Sequence, residues 1–127
     1  MIKSNPVIYF EIPVLDMDRA IHFYGSVFDF TLEREILDGY EMAFIYFDSD
    51  LEGIAGSLVK GDIYQPTKNG AILYFHTNNI NETIERAMQF DIEILYPKTI
   101  NKQLGYAIAE IGDTEGNRIA LKQVITQ

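Results

Sequence analysis

An α+β fold made of two βαβββ modules is what this chain predicts, and three observations carry that reading. Two amphipathic helical stripes each follow a short strand and precede three further strand-like runs. The starts of the two stripes, Asp16 and Asn79, superpose at a shift of 63 in a chain of 127 residues, so the plan repeats once. In the opening strand of the first half, one row of side chains (Ile8, Phe10, Ile12) is wholly apolar, while the other (Tyr9, Glu11, Pro13) carries a phenol and a carboxylate. A helix therefore covers one face of each sheet and leaves the other free. The expected architecture is a single domain of two modules, about residues 1–64 and 70–127. Its free faces form a curved mixed sheet around a cavity, with the helices on the outer face.

Each element has a local reason. Asp16 stands where a side-chain oxygen can accept from a free N–H of the first helical turn. Asp18 puts negative charge at the positive end of the helix dipole. Ala20, Ile21, Tyr24, Val27 and Phe28 then recur at helical spacing. Residues 31–37 and 41–47 read as a hairpin around Asp38-Gly39, since glycine accepts the positive φ of a tight turn. A polar loop (DSDLEG, 48–53) leads to a short strand at 55–60, and residues 61–70 read as the internal linker.

The plan then returns. Residues 71–77 alternate Ala71, Leu73 and Phe75 with Ile72, Tyr74 and His76. Asn79 is the expected cap of a stripe made by Ile80, Ile84, Ala87 and Met88. Strands follow at 92–96, ended by Pro97, at 105–111, and at 118–124 after the turn DTEGN (113–117).

Composition narrows the function classes. Hydrophobic residues make up 47% and charged residues 23%, enough apolar material for a core in one soluble domain. A net charge of −9 repels phosphate backbones and speaks against nucleic-acid binding. No apolar run approaches the roughly 20 residues of a membrane span. Pro6 and Glu11 interrupt any signal-peptide pattern at the N-terminus. The absence of cysteine removes disulfide and thiolate chemistry and fits a reducing compartment, so the expected location is cytoplasmic.

The segments IPVLDMDRAIHFYGSVFDF (12–30) and DTEGNRIAL (113–121), within a duplicated βαβββ plan, resemble the vicinal oxygen chelate superfamily. That superfamily holds glyoxalase I, extradiol dioxygenases and bleomycin-resistance proteins. The resemblance covers essentially the whole chain and is greatest to small glyoxalase-like relatives of lactoylglutathione lyase. In metal-using members it implies four inward ligand positions, on the first and last strands of each module, filled by His, Glu or Gln. Here those positions fall on Tyr9, Ile72, Ala120 and Ser57, or by a one-residue slip Leu58. Ile and Ala offer no donor, and Tyr and Ser are poor ones, so the expectation is no metal and no other cofactor.

Glu11, a carboxylate within an apolar strand, is either a general base or ligand anchor, or half of a salt bridge to Arg118 or Lys122. His76 is either a proton carrier or ligand contact, or a hydrogen-bonded cleft histidine. Tyr9, Phe44, Tyr46, Tyr74 and Tyr106 either line a cavity for a flat or amphipathic ligand or simply fill the core. Ser57 lies beside them, and Arg118 is the candidate electrophile for an enolate formed without metal.

Two functions stay open on this reading. One is a metal-independent lyase or isomerase using Glu11 or His76 for proton transfer on a small molecule. The other, implied by the bleomycin-resistance members, is a non-catalytic dimer that traps a cationic drug between aromatic rings. Exposed strand edges favour a homodimer under either reading.

Overall fold

The computed structural model describes residues 4–125. The elements run β1 (Glu11–Pro13), α1 (Met17–Phe28), β2 (Leu32–Leu37), β3 (Tyr40–Ile45) and β4 (Ser57–Lys60). The second set is β5 (Leu73–His76), α2 (Ile80–Ala87), β6 (Ile94–Asn101), β7 (Tyr106–Gly112) and β8 (Arg118–Val124). Each set is one βαβββ module. The strands form two four-stranded mixed sheets, β1-β4-β3-β2 and β5-β8-β7-β6, rather than one continuous curved sheet. In both, the first strand of the module lies parallel to the last, and the other pairings are antiparallel.

The caps form as the sequence dictates. The Asp16 carboxylate accepts from Arg19 N at 3.1 Å and the Asn79 side chain from Glu82 N at 3.1 Å. Asp38 and Gly39 both have positive φ, 54° and 82°, as a two-residue hairpin turn requires. The buried stripe of α1 is Met17, Ala20, Phe23, Tyr24 and Val27. It is rotated from the expected one, leaving Ile21 and Phe28 half-buried. The rotation follows from α1 packing on its own sheet and on α2 together. A single core cluster spans both modules, from Ile12 and Leu58 to Ile111 and Leu121.

Two expectations fail for identifiable reasons. The opening strand starts only at Glu11, because it finds three partners on β4 and none before them, and Ile8 is left exposed. Pro97 does not end its strand. It lies inside β6, the edge strand of its sheet, between register shifts at Ile94/Tyr96 and Tyr96/Thr99. An edge or bulge position does not need the N–H that proline lacks.

Pairing register sorts the side chains onto two faces. On the first sheet Ile12, Leu58 and Ala43 stand in one line toward α1, whereas Glu11, Ser57, Phe44 and Glu33 stand in the next line, on the free face. On the second sheet Phe75, Leu121 and Ala109 face the core, whereas Tyr74, Ala120, Glu110 and Tyr96 line the free face. Gly56 lets β1 and β4 approach: a Cβ there would sit 1.9 Å from the Phe10 carbonyl oxygen.

Candidate functional site

The residues singled out in the sequence fall into three places. The first is a cavity of about 580 Å³ where the β3–β4 connection meets β5. Its walls are Phe10, Phe30, Ile45, Leu73 and Phe75, and its rim carries Tyr46, Tyr74, His76, Asp48 and Glu52. Phe75 ties this wall to the core, with ring centroids 6.0 Å from Phe10 and 5.7 Å from Phe30. Residues 47–55 belong to no strand, and Tyr46, Phe47, Leu51 and Ile54 are exposed around the opening. That is the apolar wall with sparse polar groups expected of a small-molecule site.

The second place is the free face of the first sheet. The Tyr9 hydroxyl lies 2.6 Å from Ser57 Oγ and donates to Glu11 Oε2 at 3.3 Å. Phe44 is opposite Ser57 in register. Tyr64 sits beside the Glu11 carboxylate. Burial raises the Tyr9 phenol above its ordinary range, and the Glu11 charge adds to that against the opposing Ser57 bond. Burial also raises Tyr64, again helped by Glu11.

The third place is the free face of the second sheet. Arg118 Nε donates to Glu110 Oε1 at 2.5 Å, and both side chains are largely withdrawn from solvent. Lys122 Nζ lies 4.7 Å above the Tyr106 ring. The expected alternative for Glu11, an ion pair to Arg118 or Lys122, is therefore not what forms. Glu110 and Arg118 are diagonal neighbours on β7 and β8, within reach of each other across one ladder step. Glu11 is not among the residues lining the cavity that holds His76, so the two proton-transfer candidates occupy separate places.

The segment DTEGN reads in the sequence as a turn, and the structure adds to it a densely hydrogen-bonded polar cluster that the sequence does not reveal. Glu115 is 3% exposed and accepts from Leu15 N at 2.9 Å, Asp16 N at 2.8 Å, and Arg19 Nε and Nη2 at 2.8 and 3.0 Å. Burial alone would raise its pKa. The hydrogen bonds from Arg19, Asp16, Thr114 and Leu15 outweigh that and hold it below the usual carboxylate range. Asp113 accepts from the buried Tyr24 hydroxyl at 2.6 Å, and Asn117 donates to the Pro13 carbonyl at 2.8 Å. The turn of the second module thus clamps the end of β1 and the start of α1. No local pattern announces it, because 113–117 is a turn and its partners Leu15, Asp16 and Arg19 lie about a hundred positions away.

The positions that the resemblance assigns to metal ligands can now be read directly. Tyr9 and Ser57 meet, which selects Ser57 over Leu58, whose side chain is in the core. Ile72 and Ala120 bring no donor atom. Among the described residues no group of three or more His, Cys, Asp or Glu is placed to hold a metal ion. This donor set does not fit a divalent cation.

Comparison with known proteins places the architecture. A search among curated sequences gave no match. Among solved structures, a glyoxalase family protein from Bacillus cereus superposes with a TM-score of 0.74 at 18% identity, covering 99% of each chain. Glyoxalase I from Zea mays superposes at 0.69 with 18% identity over 93% of this chain and 46% of its own, so this chain spans about half of the maize enzyme. TnmS3, an antibiotic binding protein from Streptomyces sp. CB03234, superposes at 0.65 with 21% identity over 98% and 99%. At these identities the likeness is one of fold. The family model described as Glyoxalase/Bleomycin resistance protein/Dioxygenase superfamily matches residues 7–121, which include both modules and the clamp between them. On the sequence match and on the paired βαβββ modules alike, the chain belongs to that superfamily.

Proposed function

We propose that this protein binds a small organic molecule with a flat aromatic body, and that it does so without a metal ion. The observation that carries the reading is the cavity of about 580 Å³, walled by Phe10, Phe30 and Phe75 and rimmed by Tyr46, Tyr74 and His76. Rings of this kind hold a planar ligand by stacking and edge contacts, and the phenols supply polar ends. Asp48 and Glu52 at the rim favour a ligand carrying a positive charge, as does the net charge of −9. Antibiotic binding by TnmS3, a protein of the same fold, agrees with this reading.

His76 places an imidazole at the cavity rim, a group able to carry a proton, which keeps a lyase or isomerase as the second reading. Among the described residues no carboxylate is hydrogen-bonded to it, and binding is the function that the aromatic walls support best. We further propose that the molecule works as a homodimer in the cytoplasm. The exposed Tyr46, Phe47, Leu51 and Ile54 around the cavity supply the apolar surface a second copy would cover. None of the helices among the described residues is long and apolar enough to cross a membrane.

The test is calorimetry with planar aromatic amines and their neutral analogues, on the native protein and on Tyr74→Ala and His76→Ala. Saturable binding that Tyr74→Ala weakens about tenfold supports the reading, in line with about 1–1.5 kcal/mol for a lost aromatic contact. Binding unaffected by changes at either position, or a rise of several degrees in Tm on adding Ni²⁺, Zn²⁺ or Mn²⁺, counts against it.

A further inference from the structure

Seven asparagines occur in this chain, and one of them, Asn69, is followed by a glycine. Asn69 and Gly70 lie in the connector between the modules, where both are exposed and neither belongs to a helix or strand. The Asn69 backbone N–H donates to Thr67 Oγ1 at 3.0 Å, a local bond that bends the chain there. Among the described residues neither the Asn69 side chain nor the Gly70 N–H makes a hydrogen bond. A side-chain amide and the next backbone nitrogen are thus both left to solvent.

The other six asparagines are each held or hindered. Asn5 precedes Pro6, whose nitrogen carries no proton. The backbone amides that follow Asn78, Asn79 and Asn81 are all engaged. Asn79 N donates to Thr77 Oγ1 at 3.1 Å, Ile80 N to Gln123 Oε1 at 2.9 Å and Glu82 N to Asn79 Oδ1 at 3.1 Å. Asn101 closes β6, and its side-chain oxygen accepts from Leu104 N at 2.9 Å. Asn117 is buried and held at both ends of its amide, accepting from Thr67 N and donating to the Pro13 carbonyl and to Asp113.

We infer that Asn69 is a site of spontaneous modification, deamidating through a cyclic imide formed with Gly70. The Gly70 nitrogen gives its proton to a base in solution and attacks Asn69 Cγ. The new C–N bond closes a five-membered ring, and the side-chain nitrogen leaves as ammonia, taking up one proton. Water then opens the ring at one of its two carbonyls. Breaking the bond to Cγ gives aspartate, and breaking the bond to the main-chain carbonyl gives isoaspartate; nothing is oxidised or reduced. Glycine favours the attack, because no Cβ crowds its nitrogen and its backbone torsions are free. Either product puts a negative charge beside Lys68, whose Nζ donates to Glu93 at 2.8 Å. Isoaspartate also lengthens the main chain between Thr67, held by Asn117 Oδ1 at 3.2 Å, and β5, which begins at Leu73. Neither Asn69 nor Gly70 lines the cavity proposed above, so the inference does not depend on that reading.

The experiment is mass-spectrometric peptide mapping of the folded full chain after incubation at pH 6 and at pH 8. Digestion in ¹⁸O-labelled water marks any conversion that happens during handling. Amide-to-acid exchange is expected at Asn69 ahead of the six other asparagines, faster at pH 8, with isoaspartate the larger product. Asn69→Gln should abolish it, and Gly70→Ala should slow it roughly tenfold by crowding the nitrogen. The added methyl would meet an exposed partner, Thr67 Cγ2, at 3.1 Å. An Asn69 amide that stays intact in the folded protein, whether or not the urea-unfolded chain converts, overturns the inference. So does equal conversion at Asn78 or Asn81, a rate that ignores pH or the Gly70→Ala change, or aspartate as the sole product, the mark of direct hydrolysis.

Discussion

Glu115 and Glu11 are the same residue type in opposite circumstances. Glu115 is buried at the junction of the modules, with two backbone N–H groups, both donors of the Arg19 fork and the Thr114 hydroxyl around it. Glu11 is exposed on the free face of the first sheet, touched by phenols and by no cation among the described residues. A carboxylate whose lone pairs are all taken by the fold is structural, since any ligand would first have to displace its partners. The two acids differ in donors as they do in burial: five donors meet Glu115, whereas among the described residues the Tyr9 hydroxyl is the one side-chain donor recognised at Glu11.

The largest effect should come from breaking the first of these. Glu115→Ala strands Leu15 N and Asp16 N and removes the acceptor of Arg19, whose own side chain is half-exposed and can return to water. A loss of about 3 kcal/mol is expected, roughly a 10 °C fall in Tm for a domain of this size. Differential scanning calorimetry reads it directly. A fall of less than about 3 °C would mean that the clamp does not hold the modules together.

The same carboxylate sets a pH dependence. Its folded pKa is lowered relative to the unfolded chain. The stability it supplies is therefore present above the ordinary carboxylate range and is lost as pH falls through the lowered value. Urea unfolding between pH 7 and pH 3 should show this loss in the native protein. In Glu115→Gln the slope over that window should be shallower, because the group that binds a proton on unfolding is gone.

The comparison also shows what could be read from the sequence. Strand and helix order, both N-caps and the Asp38-Gly39 turn are local properties, fixed by residues within a few positions of one another, and each is found where expected. The clamp is not local. Glu115 meets Arg19 across 96 positions, and nothing near either residue announces the other. Pro97 misled for a related reason, since whether proline ends a strand depends on whether that strand is an edge, which only the sheet order decides. The candidate site was legible as residue types but not as a place. Alternation put Tyr9, Glu11, Tyr74 and His76 on non-core rows, yet it could not show that Glu11 and His76 occupy separate regions. Arg118 reads as a free electrophile in the sequence because Glu110, its diagonal partner, becomes visible only once β7 and β8 are in register.

The smallest expected effect is the most discriminating. Glu11→Gln keeps the shape of the side chain and its ability to accept from the Tyr9 hydroxyl, and it removes one negative charge from a face that already carries Glu33 and Glu35. If Glu11 served the fold as Glu115 does, losing that charge would cost a few kcal/mol. Its exposure and lack of a cationic partner among the described residues predict a change within about 0.5 kcal/mol, with a slight gain if like-charge repulsion is relieved. Chemical denaturation of the two glutamine variants side by side decides the point. A Glu11→Gln loss comparable to that of Glu115→Gln would make both acids structural, and the contrast between them would then be one of burial alone.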